Sequence, residues 1–156
     1  LWFLNTRFKS IKRALTNKNN VLDRSIYEDL YFCQVNYELG RISELEFEIY
    51  KSLLNNMLEE LDELPKKAPD LMIYLKGNFE TFLSRIVGRG REYELDEELY
   101  DYYYKLWQGY DNWIQEYYTL SEIVVIDIDK YDYVNNQEDK KEVLKLITDA
   151  LNTINE

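Results

Sequence analysis

A chain of 156 residues, 46% of them hydrophobic, is long enough for one domain with a sizeable core. Thirty acidic against nineteen basic side chains leave a formal charge of -11, which repels a phosphate backbone over most of the surface and argues against broad nucleic-acid binding, while a local basic patch can still take a small anion. The single Cys33 cannot form an internal disulfide, no apolar run approaches the ~20 residues that span a bilayer, and the lack of histidine removes Ser/His and Cys/His nucleophilic sites and the common zinc patterns; a soluble, cytoplasmic protein is the expectation.

Along the chain, Leu4, Phe8, Ile11 and Leu15 recur at steps of four, three and four, marking one face of an opening helix that ends at "TNKNN". The chain begins without Met and already inside this helix, so a segment upstream is expected to be missing. A short strand is expected at "VLD" (21 to 23), then a helix from about Ile26 to Leu39 stopped by Gly40. Ser43 with Glu46 makes a capping box for the next helix, which carries Phe47, Tyr50, Leu54, Met57 and Leu61 on one face. "LPKKAPD" (64 to 70), the only stretch with proline, reads as a surface connection.

Two continuous apolar runs, "DLMIYLK" and "EIVVIDID", have strand length and read as strands buried on both faces of a parallel sheet. Helices are expected between them near 78 to 88 and 95 to 118, and a last one near 135 to 154. Within the second of these, Leu99, Tyr102, Leu106, Tyr110, Trp113 and Tyr117 form a stripe read as packing. Three strands alternating with helices argue for an α/β fold with a parallel sheet, forming a single domain over residues 1 to 156.

Three stretches have the residues for chemistry. Asp23-Arg24-Ser25 stands where a strand gives way to a helix, a place where open α/β sheets bind ligands; the Asp is suited to Mg²⁺ and the Arg to a phosphate or carboxylate. The same tripeptide is equally compatible with a surface ion pair and a helix cap. "RIVGRGREYE" puts Arg85, Arg89 and Arg91 within seven residues of a strongly acidic protein, with Gly88 and Gly90 loosening the segment. It reads as a mobile basic lid over transferring phosphates, against the alternative of a solvated helix end. The third is "DIDKYDYVNN", whose Tyr131 and Tyr133 suit a nucleobase as well as they suit an ordinary connection. The paired Glu59 and Glu60 lie in a charged helical run and read as solvated.

In order, "VLDRSIYED", "APDLMIYL", "SRIVGRGREYE" and "IDIDKYDYV" resemble the deoxyribonucleoside kinases of the P-loop type, most closely the bacterial deoxyadenosine and deoxyguanosine kinases, over essentially the whole chain. The resemblance implies an α/β fold whose five-stranded parallel sheet, about three strands of it in this chain, is flanked by helices. It also implies a homodimer, and transfer of the γ-phosphate of ATP to the 5′-hydroxyl of a purine deoxynucleoside. By the same resemblance Asp23 helps to hold Mg²⁺ and Arg24 orients the catalytic carboxylate and contacts the reacting end of the substrate. Arg7 and Asp29 read the base edge as donor and acceptor, and Glu94 takes the 3′-hydroxyl. Arg85, Arg89 and Arg91 are the lid arginines, while Asp129, Lys130, Tyr131, Asp132 and Tyr133 surround the adenine of ATP.

Two departures stand out. Cys33, with Phe32 beside it, occupies the position four residues after the base-reading Asp, where the family often stacks an aromatic ring on the base. The glycine-rich phosphate loop and the downstream catalytic Glu are absent, so residues 1 to 156 alone are not expected to catalyse the transfer. The rival readings are a nucleoside monophosphate kinase of the thymidylate-kinase kind and a catalytically inactive dimerising module. The spacing of Asp29 after "DRS", and of Glu94 after the lid arginines, favours a nucleoside as acceptor. No partner nucleic acid or membrane is expected.

Overall fold

A computed structural model describes residues 1–16, 19–62 and 68–154, and the chain divides into two compact units, Leu1–Lys67 and Ala68–Glu156. The first is helical: α1 (Trp2–Ala14), α2 (Ile26–Glu38) and α3 (Glu44–Asp62). The four-three step on α1 buries Leu4, Phe8 and Ile11 against Ile26 of α2 and Tyr50, Leu54 and Leu61 of α3, with Leu15 and Met57 partly buried beside them. Leu4, Ile26, Leu54 and Leu61 are fully enclosed, each contributing roughly 1.5–3 kcal/mol by leaving water.

Local chemistry fixes the turn between α2 and α3. Gly40, at φ +69°, donates its N–H to the Tyr37 carbonyl, and Arg41 donates to Asn36, both at 2.9 Å, so two end carbonyls of α2 are satisfied by a left-handed cap. Three residues on, Ser43 N–H donates to Glu46 Oε2 at 2.7 Å and Glu46 N–H donates back to Ser43 Oγ at 3.3 Å, the expected capping box. These bonds hold the Glu46 carboxyl below the usual carboxylate range. Phe47 stacks on Tyr37 with ring centroids 4.9 Å apart, closing the turn from the apolar side.

The strand expected at "VLD" does not form. Val21 is 93% exposed, and left-handed residues, Asn19 at φ 59° and Arg24 at φ 66°, bracket the segment. A strand needs a neighbour for its N–H and C=O groups, and none of the described strands pairs with it. The proline-containing connection falls largely on residues 63–67, outside the described residues.

The second unit is built on two parallel strands, β1 (Leu71–Lys76) and β2 (Glu122–Asp127), with Leu71 opposite Glu122 and Lys76 opposite Asp127. Between them run α4 (Phe79–Gly88), two 3-10 turns (Glu92–Glu94 and Glu97–Leu99) and α5 (Tyr100–Tyr117), and α6 (Gln137–Ile154) follows β2. Two strands are therefore described where three were expected. Nor are they buried on both faces: Ile126 is enclosed, but Ile73, Leu75 and Val125 are 41, 48 and 51% exposed, because each strand has one described neighbour and alternate side chains stay uncovered.

Asn78 starts α4, its Oδ1 accepting Thr81 N–H at 2.8 Å. Phe79 then packs edge-on against Tyr100 and Tyr104 of α5 and beside Trp107. On the sheet side, Tyr74 stacks on Tyr110, and Tyr74 Oη and Lys76 Nζ both reach the Asp111 carboxylate at 2.5 Å. Burial pulls the Asp111 carboxyl up, but the two donors outweigh it and hold the group low. Because α5 serves both α4 and β1, its covered face is wider than the expected stripe: Leu106 and Ile114 are the buried positions, and Tyr117 is 70% exposed. The helix also begins at Tyr100 and not near residue 95, since Asp96 Oδ1 takes Glu98 N–H at 3.0 Å and turns that backbone into a short 3-10 segment.

Candidate active site

In the first unit Arg7 is the organising residue. From α1 its Nε meets Asp29 Oδ2 on α2 at 2.7 Å, and its Nη1 donates to the carbonyl of Asp23. The two side chains expected to face a base edge are thus brought together, donor beside acceptor. Asp29 is buried, which raises its carboxyl above the usual range, and the hydrogen bond and charge of Arg7 offset part of that rise. Tyr50 of α3 donates its hydroxyl to the Asp29 carbonyl at 3.2 Å, and burial, aided by the Asp29 charge, pushes its phenol well up, so it acts as a neutral donor. The sequence pattern identified Tyr50 only as core; a tyrosine on an apolar stripe is the signal that a buried hydroxyl needs a partner.

Asp23 and Arg24 lie at the entrance to α2, whose first turn is capped by Glu28: Oε2 accepts Ser25 N–H at 2.6 Å. Arg24 keeps a left-handed backbone, φ 66°, that costs a residue with a Cβ about 1–3 kcal/mol and that concentrates where side chains must be aimed. Its guanidinium carbon stands 4.3 Å from the centroid of the Phe32 ring, a contact the sequence did not reveal. Asp23 is exposed. Among the described residues no group of three acidic, cysteine or histidine side chains gathers as a metal cage. A lone carboxylate nevertheless fits Mg²⁺ that arrives on phosphates with its own waters. Cys33, half-buried one turn after Asp29, packs against the helical core, and burial raises its thiol.

In the second unit the three arginines divide between two partners. Arg85, on α4, turns to the loop after β2: Nη2 donates to the Ile128 carbonyl at 3.3 Å, Nη1 lies 3.4 Å from Tyr133 Oη, and the guanidinium is 5.4 Å from that ring. Beyond Gly90, at φ +64°, Arg91 Nη1 bonds Glu94 Oε1 at 3.0 Å, while Arg89 Nη1 stands 4.0 Å from Glu94 Oε2. The Glu94 bond holds the Arg91 guanidinium above its ordinary value. Glu94 Oε2 is screened from solvent and makes no hydrogen bond among the described residues, its charge being met by Arg89. Tyr103 fixes the backbone there by donating to the Glu94 carbonyl at 3.2 Å.

The loop from Asp129 to Tyr133 is a built turn. Asp127 Oδ1 accepts from the N–H groups of Asp129 and Lys130, and Asp129 Oδ2 accepts Asn78 N–H at 2.7 Å, tying the loop to the start of α4. Lys130 Nζ donates to Tyr131 Oη at 2.7 Å, and Asp132 is held low by its hydrogen bonds from Asn135. A Cβ on Gly77 would sit 2.5 Å from Ile128 Cγ1, so a glycine is what lets the end of β1 run beside this loop. Trp107 Nε1 donates to the Gly77 carbonyl at 2.8 Å. Asn78 and Gly77 were not singled out from the sequence; an Asn three residues before a Thr at a helix start was the available signal.

The family model described as deoxynucleoside kinase matches residues 1–152. A deoxyguanosine kinase of Lactobacillus acidophilus is 47% identical over 157 residues, covering 99% of this chain and 68% of that protein. A deoxyadenosine kinase of the same organism is 42% identical over 156 residues, covering 98% and 72%. A solved structure of deoxyadenosine kinase from M. mycoides with bound dATP superposes with a TM-score of 0.75 at 26% identity, covering 94% of this chain and 71% of that one.

Proposed function

The chain belongs to the deoxynucleoside kinase family, and on that premise we propose that it transfers the γ-phosphate of ATP to the 5′-hydroxyl of a purine deoxynucleoside, deoxyguanosine or deoxyadenosine. The observation that carries the reading is the Arg7–Asp29 pair: one donor and one acceptor, held 2.7 Å apart on two different helices, suit the edge of a base. A purine presents neighbouring donor and acceptor atoms on such an edge, and a site built to bond both rejects a base that leaves one unpaired.

In this reading the residues act as parts of one kinase domain. Arg7 and Asp29 read the base, and Arg24 serves the reacting 5′ end. Glu94 accepts the 3′-hydroxyl, its Oε2 having no hydrogen bond among the described residues. Arg85, Arg89 and Arg91 neutralise charge on the phosphoryl group as it moves between oxygens, a transfer that depends mostly on positioning and electrostatics. Asp129 to Tyr133 receive the adenine of ATP. Asp23 would hold Mg²⁺, which when bound draws charge from the phosphate oxygens. Mg²⁺ as the metal, homodimerisation and a cytoplasmic setting belong to the same proposal and rest on the family alone. Among the described residues no helix is long and apolar enough to cross a membrane.

The test is phosphoryl transfer from ATP by the native protein that carries these residues, with deoxyguanosine, deoxyadenosine, deoxycytidine, thymidine and thymidylate as acceptors. Deoxypurine 5′-monophosphates are the expected products. Diphosphate formed from thymidylate, with nothing formed from any nucleoside, would replace the proposal with a monophosphate kinase.

A further inference from the structure

Arg24 raises a question of orientation. Its side chain leaves a left-handed backbone, and the downstream peptide is pinned because Ser25 N–H is held by Glu28 Oε2 at 2.6 Å. Among the described residues the guanidinium makes no hydrogen bond or ion pair; its charge reaches the Asp29 carboxylate, and its face-to-group contact is with the Phe32 ring, 4.3 Å from guanidinium carbon to centroid. On α2 Tyr31 packs edge-on against the ring at 6.1 Å, and Asn36 Nδ2 bonds the backbone carbonyl of Phe32 at 2.8 Å.

We propose that Phe32 is a positioning residue for phosphoryl transfer, its ring holding the Arg24 guanidinium in the orientation used at the reacting 5′ end. The chemistry favours a ring over a carboxylate for this task. A carboxylate would occupy two of the five N–H donors and neutralise the charge, whereas a ring engages the flat face of the guanidinium and leaves every in-plane donor pointing outward. The arginine is aimed with its donors left for the catalytic carboxylate and the reacting end of the substrate. The inference rests on the assignment of Arg24 to the reacting centre made above.

The experiment replaces Phe32 with mono-, di- and trifluorophenylalanine, which keep the shape of the ring and progressively weaken its negative face, and adds Phe32→Tyr and Phe32→Leu. The expected result is a stepwise fall in kcat along the fluorinated series, about 3- to 10-fold overall, with KM for deoxyguanosine and ATP within twofold of wild type. Phe32→Tyr should keep nearly full turnover, and Phe32→Leu should fall at least as far as the trifluoro protein. Equal kcat across the series would overturn the proposal, as would a loss confined to KM for the nucleoside, which would make the ring a wall for the base. If the wild-type protein phosphorylates no deoxynucleoside, the functional reading fails independently. The ring contact is then still tested by the NMR shift of Arg24 Nε–H, which moves along the series if ring and guanidinium are stacked and stays constant if they are not.

Discussion

Arg7 and Asp29 lie 22 residues apart in the chain and meet at 2.7 Å, with the carboxylate 8% and the guanidinium 18% exposed. Removing one partner of so enclosed a pair strands the other.

Asp29→Ala should change the ranking of nucleosides. The ratio of kcat/KM between deoxyguanosine and deoxyadenosine is expected to move by about tenfold or more, with KM for ATP unaltered, because one hydrogen-bonding atom of the base loses its partner. Steady-state kinetics on both nucleosides check it, and an unmoved ratio removes Asp29 from base reading.

The raised carboxyl of Asp29 makes a prediction about pH. A carboxyl whose folded pKa lies above its unfolded one contributes stability that is fully present below the unfolded pKa and lost as pH rises through the folded pKa. Asp29→Asn should therefore gain stability relative to wild type as pH rises across that window, as read by denaturant midpoints at several pH values. In kcat/KM for the nucleoside, the wild type should show an acid limb with its midpoint above the ordinary Asp value, and the Asn variant should lack that limb.

At Arg24, Ala and Gly substitutions separate strain from chemistry. Both remove the guanidinium and should lower kcat by about 100-fold or more. Arg24→Gly should nevertheless be the more stable of the two by about 1 kcal/mol, since glycine adopts φ 66° without the Cβ clash. Thermal melts of the two variants decide the point, and equal stability would mean the left-handed backbone carries no strain.

Glu94→Gln should reduce the preference for a 3′-hydroxyl substrate over its 3′-deoxy analogue by about tenfold, because the neutral amide accepts more weakly than the carboxylate. It also releases the ion pairs with Arg91 and Arg89. Competition between the two substrates measures the preference, and an unchanged ratio removes Glu94 from sugar recognition.

Much of the molecule was legible because its signals are local. Gly40 as a stop, Ser43 with Glu46 as a start, and the face of Phe47, Tyr50 and Leu54 depend on residues a turn apart, and α2 and α3 form as read. The features missed depend on distant partners. "VLD" has strand composition but no described neighbour strand, Tyr117 lies on the periodic stripe yet beyond the reach of β1 and α4, and the grip of Phe32 on Arg24 follows from a backbone sign that no side-chain pattern encodes. The pairing of Arg7 with Asp29 was expected only through the family resemblance. The division of the arginines, Arg85 to the Tyr133 loop and Arg89 with Arg91 to Glu94, needed the structure.

The close approach at Gly77 also limits how the molecule can vary by substitution. A methyl group there would meet Ile128 Cγ1 at 2.5 Å, so the end of β1 and the loop after β2 can change only together.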